Sequence, residues 1–161
     1  MVTDRMTSAS ATAIRMRPLV SSSDCLLHVC DRVNDGMQVR KPDETFVNEE
    51  FITKRTLRSG SAWNIAFSKD PQQKYIFLTD GENDRAHILL RDTLERLATF
   101  GEGGRQPGEF YGPNSIGTDS KGSIYVTGTY RGRRVQKFVH KGIGPVTKED
   151  QRICELKTTR K

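Results

Sequence analysis

One short phrase of residues is written more than once in this chain, and that repetition decides the fold class before any single residue is weighed. The run Tyr75–Leu89, YIFLTDGENDRAHIL, matches Leu26–Val39, LLHVCDRVNDGMQV. Their aspartates Asp31 and Asp80 lie 80 − 31 = 49 positions apart, and the third copy places Gly128 there, 128 − 80 = 48 positions further on. Within each copy apolar and turn residues follow a period of two, which excludes a helical repeat. Units of this length with several strands each imply a propeller blade or a related all-β array.

The third copy is the fullest. Gly101–Phe138 reads GEGGRQPGEFYGPNSIGTDSKGSIYVTGTYRGRRVQKF. A glycine-rich opening leads to Pro113, then to three apolar stretches: Ser115–Asp119, Ser123–Thr127 and Arg134–Phe138. The turns between them, Ser120-Lys121-Gly122 and Tyr130-Arg131-Gly132, contain Gly and Ser, which tolerate tight reversals. Strand, turn, strand, turn, strand is a meander.

In this order of residues the chain resembles the NHL repeat, the blade unit of a group of β-propellers. The family pattern runs approximately Gly-x-Gly-Pro-Gly-x-Phe-x-x-Pro, a short strand ending in Asp, Gly-Asn-x-Tyr-Val-x-Asp, then Asn-x-Arg-Ile-Gln-x-Phe. Residues 101–138 follow it most closely, residues 60–100 less so, and residues 26–48 through a two-strand hairpin alone. The resemblance implies the bacterial six-bladed type of propeller, with about three four-stranded blades in this chain. It also implies a distant kinship with peptidyl-hydroxyglycine amidating lyase.

Taken in order, residues 1–20 are expected to be a degraded or disordered segment, 21–143 a partial NHL propeller and 144–161 a polar tail. Residues 48–61 read as a long polar loop between blades. In the second blade, 63–67 is expected to be the innermost strand, followed by 75–79, 86–90 and 96–100. Residues 1–20 lack an apolar signal core and no segment is long enough to cross a membrane, so the chain as given is expected in the cytoplasm. If it is the C-terminal part of a longer propeller, a periplasmic or extracellular place is expected instead. An arc of three blades leaves two flat faces bare, because blades cannot bury a core alone. Either two chains close a six-bladed ring as a homodimer, or further blades belong to the same protein.

Composition narrows the partners. Apolar residues are 34%, charged residues 29%, and the formal net charge is +6. That mild basic excess favours acidic partners without naming one. The odd set Cys25, Cys30 and Cys154 reads as free thiols. His28, His87 and His140 fall on different strands and are expected to be partly exposed, not convergent metal ligands. No Ser-His-Asp or Cys-His grouping is present, so no catalytic residue is assigned.

The amidating-lyase resemblance implies a metal held by histidines near the starts of innermost strands. The positions matching best are Asn64 and Asn114, and an amide side chain is a poor zinc ligand. No cofactor is expected from these residues; a channel metal follows only if other blades supply its ligands. Trp63, near the channel mouth, reads as core that could also stack on a ligand. Tyr130, Arg131, Arg133 and Arg134 form a basic cluster with Lys137. In some animal members of the family such a basic face binds single-stranded RNA, which the resemblance extends here as an expectation, whereas the residues alone favour a structural reading, with Arg85 and Arg134 pairing a turn carboxylate such as Asp80. Nucleic acid is therefore a secondary expectation. The pairs Asp31/Asp35 and Asp80/Asp84 recur at the turns, and turn capping accounts for them better than calcium. The leading expectation is a non-catalytic scaffold that binds a protein or small ligand at its loop face.

Overall fold

The computed structural model describes residues 18–142. Its strands form three antiparallel sheets in chain order, with no crossover between them. The first holds β1 (Leu19–Ser21), β2 (Leu27–Asp31), β3 (Gly36–Arg40) and β4 (Phe46–Phe51). The second holds β5 (Ala62–Phe67), β6 (Tyr75–Asp80), β7 (Arg85–Leu90) and β8 (Arg96–Phe100). The third holds β9 (Pro113–Thr118), β10 (Ile124–Gly128) and β11 (Val135–Phe138), with a single 3-10 turn at Tyr130–Gly132 before β11. Each sheet is a blade, and the repeat is kept in its register. Asp31, Asp80 and Gly128 each end the second strand of their blade.

Two cores form between the blades. Cys30, Met37 and Val39 of the first blade pack on Ile65, Phe67, Ile76, Leu78 and Leu89 of the second. On the opposite face of the second blade, Phe77 and Ala86 join Ile116, Val126 and Phe110. Alternation along each strand turns one apolar set each way, so a middle blade is apolar on both faces. The innermost strands β5 and β9 are tied directly: Thr118 Oγ1 donates to the Phe67 carbonyl (2.9 Å) and Asn64 Nδ2 to Ser115 Oγ (3.3 Å).

The first blade is more complete than the sequence suggests. β1 begins at Leu19, inside the segment expected to be degraded, and pairs Val20 with His28 to supply the innermost strand. Residues 1–17 of that segment and residues 144–161 lie outside the described residues. Phe46–Phe51 is a full outer strand, where residues 48–51 read as loop. Its Asn48, Glu49 and Glu50 are tolerated because an outermost strand is solvated.

The end faces expose apolar residues, Leu19 on the first blade and Val135 on the third, beside polar sets. On the first blade's outward face Arg40 Nε and Nη2 both donate to Gln38 Oε1 (3.2 and 3.0 Å), and Gln38 Nε2 donates to Glu49 Oε1 (3.1 Å). In register, Arg40 stands where the second blade buries Leu89. On the third blade, Tyr125 OH donates to Asp119 Oδ2 (3.0 Å), and Lys137 pairs with the same oxygen (3.5 Å).

Candidate functional site

The aspartate turns are the joints between blades. Asn34 Nδ2 donates to Asp31 (2.8 Å), and Asn83 Nδ2 repeats this on Asp80 (2.8 Å). Asp35 and Asp84 follow with left-handed φ of 60° and 53°, a conformation that aspartate tolerates. Their carboxylates accept from the loop entering the next blade: Asp35 from Thr56 and Ser61 N–H (2.9 Å each), Asp84 from Gly112 N–H (2.7 Å). Burial holds the Asp84 carboxyl above the usual carboxylate value against that N–H, and Glu82 and Asp80 push the same way. The capping expectation is thus extended: these carboxylates bond across blades as well as within their turns.

Each turn also meets the loop that enters its own blade. In the second blade that seam is closed by hydrogen bonds. Thr53 Oγ1 donates to Asp80 (2.8 Å), Asn83 Nδ2 to Thr56 Oγ1 (2.9 Å) and Ser59 N–H to Glu82 (3.4 Å). In the third blade the matching seam is a groove of about 630 Å³ lined by Arg105, Tyr111, Tyr130, Arg131 and Arg133. Here Gly128, Thr129, Tyr130 and Arg131 replace the Asp-x-x-Asn of the earlier turns.

The groove is held rigidly from behind. Arg134 donates to the carbonyls of Arg105, Gln106 (2.9 Å) and Glu109 (2.6 Å), which fixes the loop bearing Arg105. Gln136 adds a bond to the Glu109 carbonyl and accepts from Gly108 N–H (2.8 Å each). Thr129 closes onto Gly112 through N–H (2.9 Å) and Oγ1 (3.0 Å). Gly132 lies so close to the Tyr111 carbonyl that any side chain would collide with it. Tyr130 keeps φ at 52°, a strained conformation for a bulky residue. Arg133 Nε donates to its carbonyl (3.0 Å).

Of the residues expected to form a site, Tyr130, Arg131 and Arg133 come together. Arg134 lies behind them and binds backbone carbonyls, not the carboxylate expected, and Lys137 belongs to the Asp119 pair. Asp80 is held instead by Thr53, Asn83 and His87 Nε2 (3.3 Å). Arg105 and Tyr111 were not singled out in the sequence; only the fold brings that loop to the turn. Among the described residues none of Arg105, Arg131 and Arg133 makes an ion pair.

The channel end offers less. Trp63 is 4% exposed, its Nε1 donates to the Gly60 carbonyl (2.7 Å), and the Arg32 guanidinium covers its ring at 3.8 Å. Gly81 packs on the ring so closely that no Cβ fits, so no face is left for stacking. Asn64 and Asn114 meet through Thr79 Oγ1, which reaches both backbone carbonyls (3.3 and 3.4 Å). They are not equivalent, because the bulges of β5 and β9 fall at Trp63 and Asn114, which pairs Asn64 with Ser115 in register. The two bulges fall at equivalent places, so Trp63 corresponds to Asn114 and the two asparagines lie one position apart in the repeat.

His28 and His87 are fully buried, not partly exposed as expected. His28 stacks edge-on against Phe67 at 4.9 Å, and burial holds its pKa down to about 4, with the Arg91 charge adding to the effect. His87 Nδ1 meets Thr99 Oγ1 at 2.8 Å. Cys25 and Cys30 are free thiols, and burial pushes Cys30 up to about 12, far from a reactive thiolate. Cys154 lies outside the described residues. Among the described residues no cluster of three or more His, Cys, Asp or Glu could hold a metal ion, and no helix is long and apolar enough to cross a membrane.

No family profile matches the chain, and no curated protein matches it. Thirty-one solved chains match in three dimensions. One is the dihydro-heme d1 dehydrogenase NirN in complex with DHE, at a TM-score of 0.51 and 13% identity, covering 84% of this chain and 31% of that one. The chain therefore spans less than a third of that protein's length. At such identity the likeness concerns the fold alone: three antiparallel sheets in a partial β-propeller.

Proposed function

We propose that the chain is a non-catalytic binding scaffold of NHL type, whose blades present the Arg105–Arg133 groove to an anionic ligand or acidic protein segment. The NHL assignment is supported by the pattern in residues 101–138, whose turns and strands fall on β9–β11 in order. One observation carries the binding reading. The seam that the second blade closes with Thr53, Thr56, Asn83 and Asp80 is open in the third and lined by three arginines and two tyrosines. A departure from the repeat's own internal rule marks a place where stability was exchanged for function. Convergent guanidinium groups on a rigid frame favour phosphate or carboxylate, since each charge-assisted bond is shorter and stronger than a neutral one.

Calorimetric titration with pyrophosphate tests the reading. The parent chain is expected to bind, with affinity falling as salt rises. The double variant Arg131→Glu, Arg133→Glu is expected to bind at least about tenfold more weakly with unchanged thermal unfolding. Absence of parent binding, or equal binding by the variant, overturns it.

A further inference from the structure

We propose that this groove takes a free nucleoside monophosphate, its base stacked on an open tyrosine ring and its phosphate held by the arginines; this rests on the anion-binding reading above. The argument starts from the tyrosines. The chain has four. Lys74 lies over the ring of Tyr75 at 5.5 Å and Lys137 over that of Tyr125 at 5.1 Å. The exposed rings of Phe46 and Phe51 are likewise covered, by Arg40 and Lys54. Tyr111 and Tyr130 carry no cation over their rings among the described residues, although three arginines line the same groove. Tyr130 is 66% exposed. Two rings with no cation over them, beside three arginines that make no ion pair among the described residues, match a ligand that combines a flat ring with an anion.

The frame suits a small, preorganised ligand. Tyr130 sits on a left-handed backbone residue between Thr129, which bonds Gly112, and Gly132, which admits no side chain. One edge of its ring lies over Gly112, where an added Cβ would come within 3.1 Å of Cδ2. The aromatic platform is thus set before binding, which lowers the ordering cost. The groove is broad and open to solvent, with about 630 Å³ of space along its walls. The phosphate dianion answers the local charge, and the purine face answers the tyrosine by stacking, which does not depend on hydrogen-bond readout.

The experiment compares two ligands of equal charge. Adenosine monophosphate and ribose 5-phosphate are titrated into the full chain by calorimetry, with pyrophosphate as reference. The nucleotide is expected to bind about tenfold more tightly than the sugar phosphate. Tyr130→Ala is expected to abolish that difference, and Tyr130→Phe to keep it. Equal affinity of nucleotide and sugar phosphate in the parent overturns the proposal while leaving anion binding intact. No binding of any of the three overturns both readings. Affinity that climbs steadily along a series of longer oligonucleotides would also overturn it, because the groove would then be tracking a strand.

Discussion

His28, Phe77 and Tyr125 hold the same register position in three successive blades, 77 − 28 = 49 and 125 − 77 = 48 residues apart. The first is the odd one, a histidine whose ring nitrogens find no hydrogen-bond partner among the described residues. Burial against Phe67 holds its pKa at about 4, below the ordinary 6.5, with Arg91 pushing the same way and Asp24 opposing. Between those values the unfolded chain takes up a proton that the folded chain refuses. Stability from this residue is therefore full above about pH 7 and is lost as pH falls toward 4, by up to about 1.4 kcal/mol per pH unit. His28→Phe restores the aromatic of the second blade. In urea titrations its advantage over the parent is expected to grow as pH is lowered from 7 to 4; a constant difference would contradict the burial argument.

Among the elements, the joints matter more than the strands. Asp84 spans from the β6–β7 turn to Gly112 at the mouth of β9. Asp84→Ala leaves that buried N–H without its acceptor and is expected to cost about 1–3 kcal/mol in urea unfolding. It is also expected to weaken pyrophosphate binding, because Gly112 anchors Thr129 beside Tyr130. Unaltered binding would detach the joint from the groove. Most of the strands were legible from the sequence, β5 to β8 almost to the residue, because alternation and turn residues coincide there. β1 was not, since three residues, LVS, carry too short a pattern to read. β4 was not, because FVNEEF mixes apolar and charged residues on a solvated outer strand. Half of the groove was legible as a basic turn. The other half, Arg105 and Tyr111, depends on carbonyl bonds from Arg134 that no spacing rule announces.

At the scale of the molecule, two places among the described residues can be compared as ligand sites: the inner ends of β5 and β9, with Asn64 and Asn114, and the seam at the third blade's turn. The structure distinguishes them by chemistry. At the inner end the tryptophan is already covered by the Arg32 guanidinium, and the Asn64 and Asn114 carbonyls are already bonded to Thr79. The seam carries three arginines free of ion pairs among the described residues, on a frame fixed by backbone bonds. The blade stack thus works as a rigid support, with its second core of Phe77, Phe110, Ile116 and Val126 fixing the third blade against the second. Amide chemical-shift mapping of isotope-labelled protein titrated with pyrophosphate tests this most directly. Shifts are expected at Arg105, Tyr111 and Thr129–Arg133, with Asn64, Asn114 and the strands of the first blade unmoved. Shifts centred on Asn64 and Asn114, or none at the seam, would contradict the account.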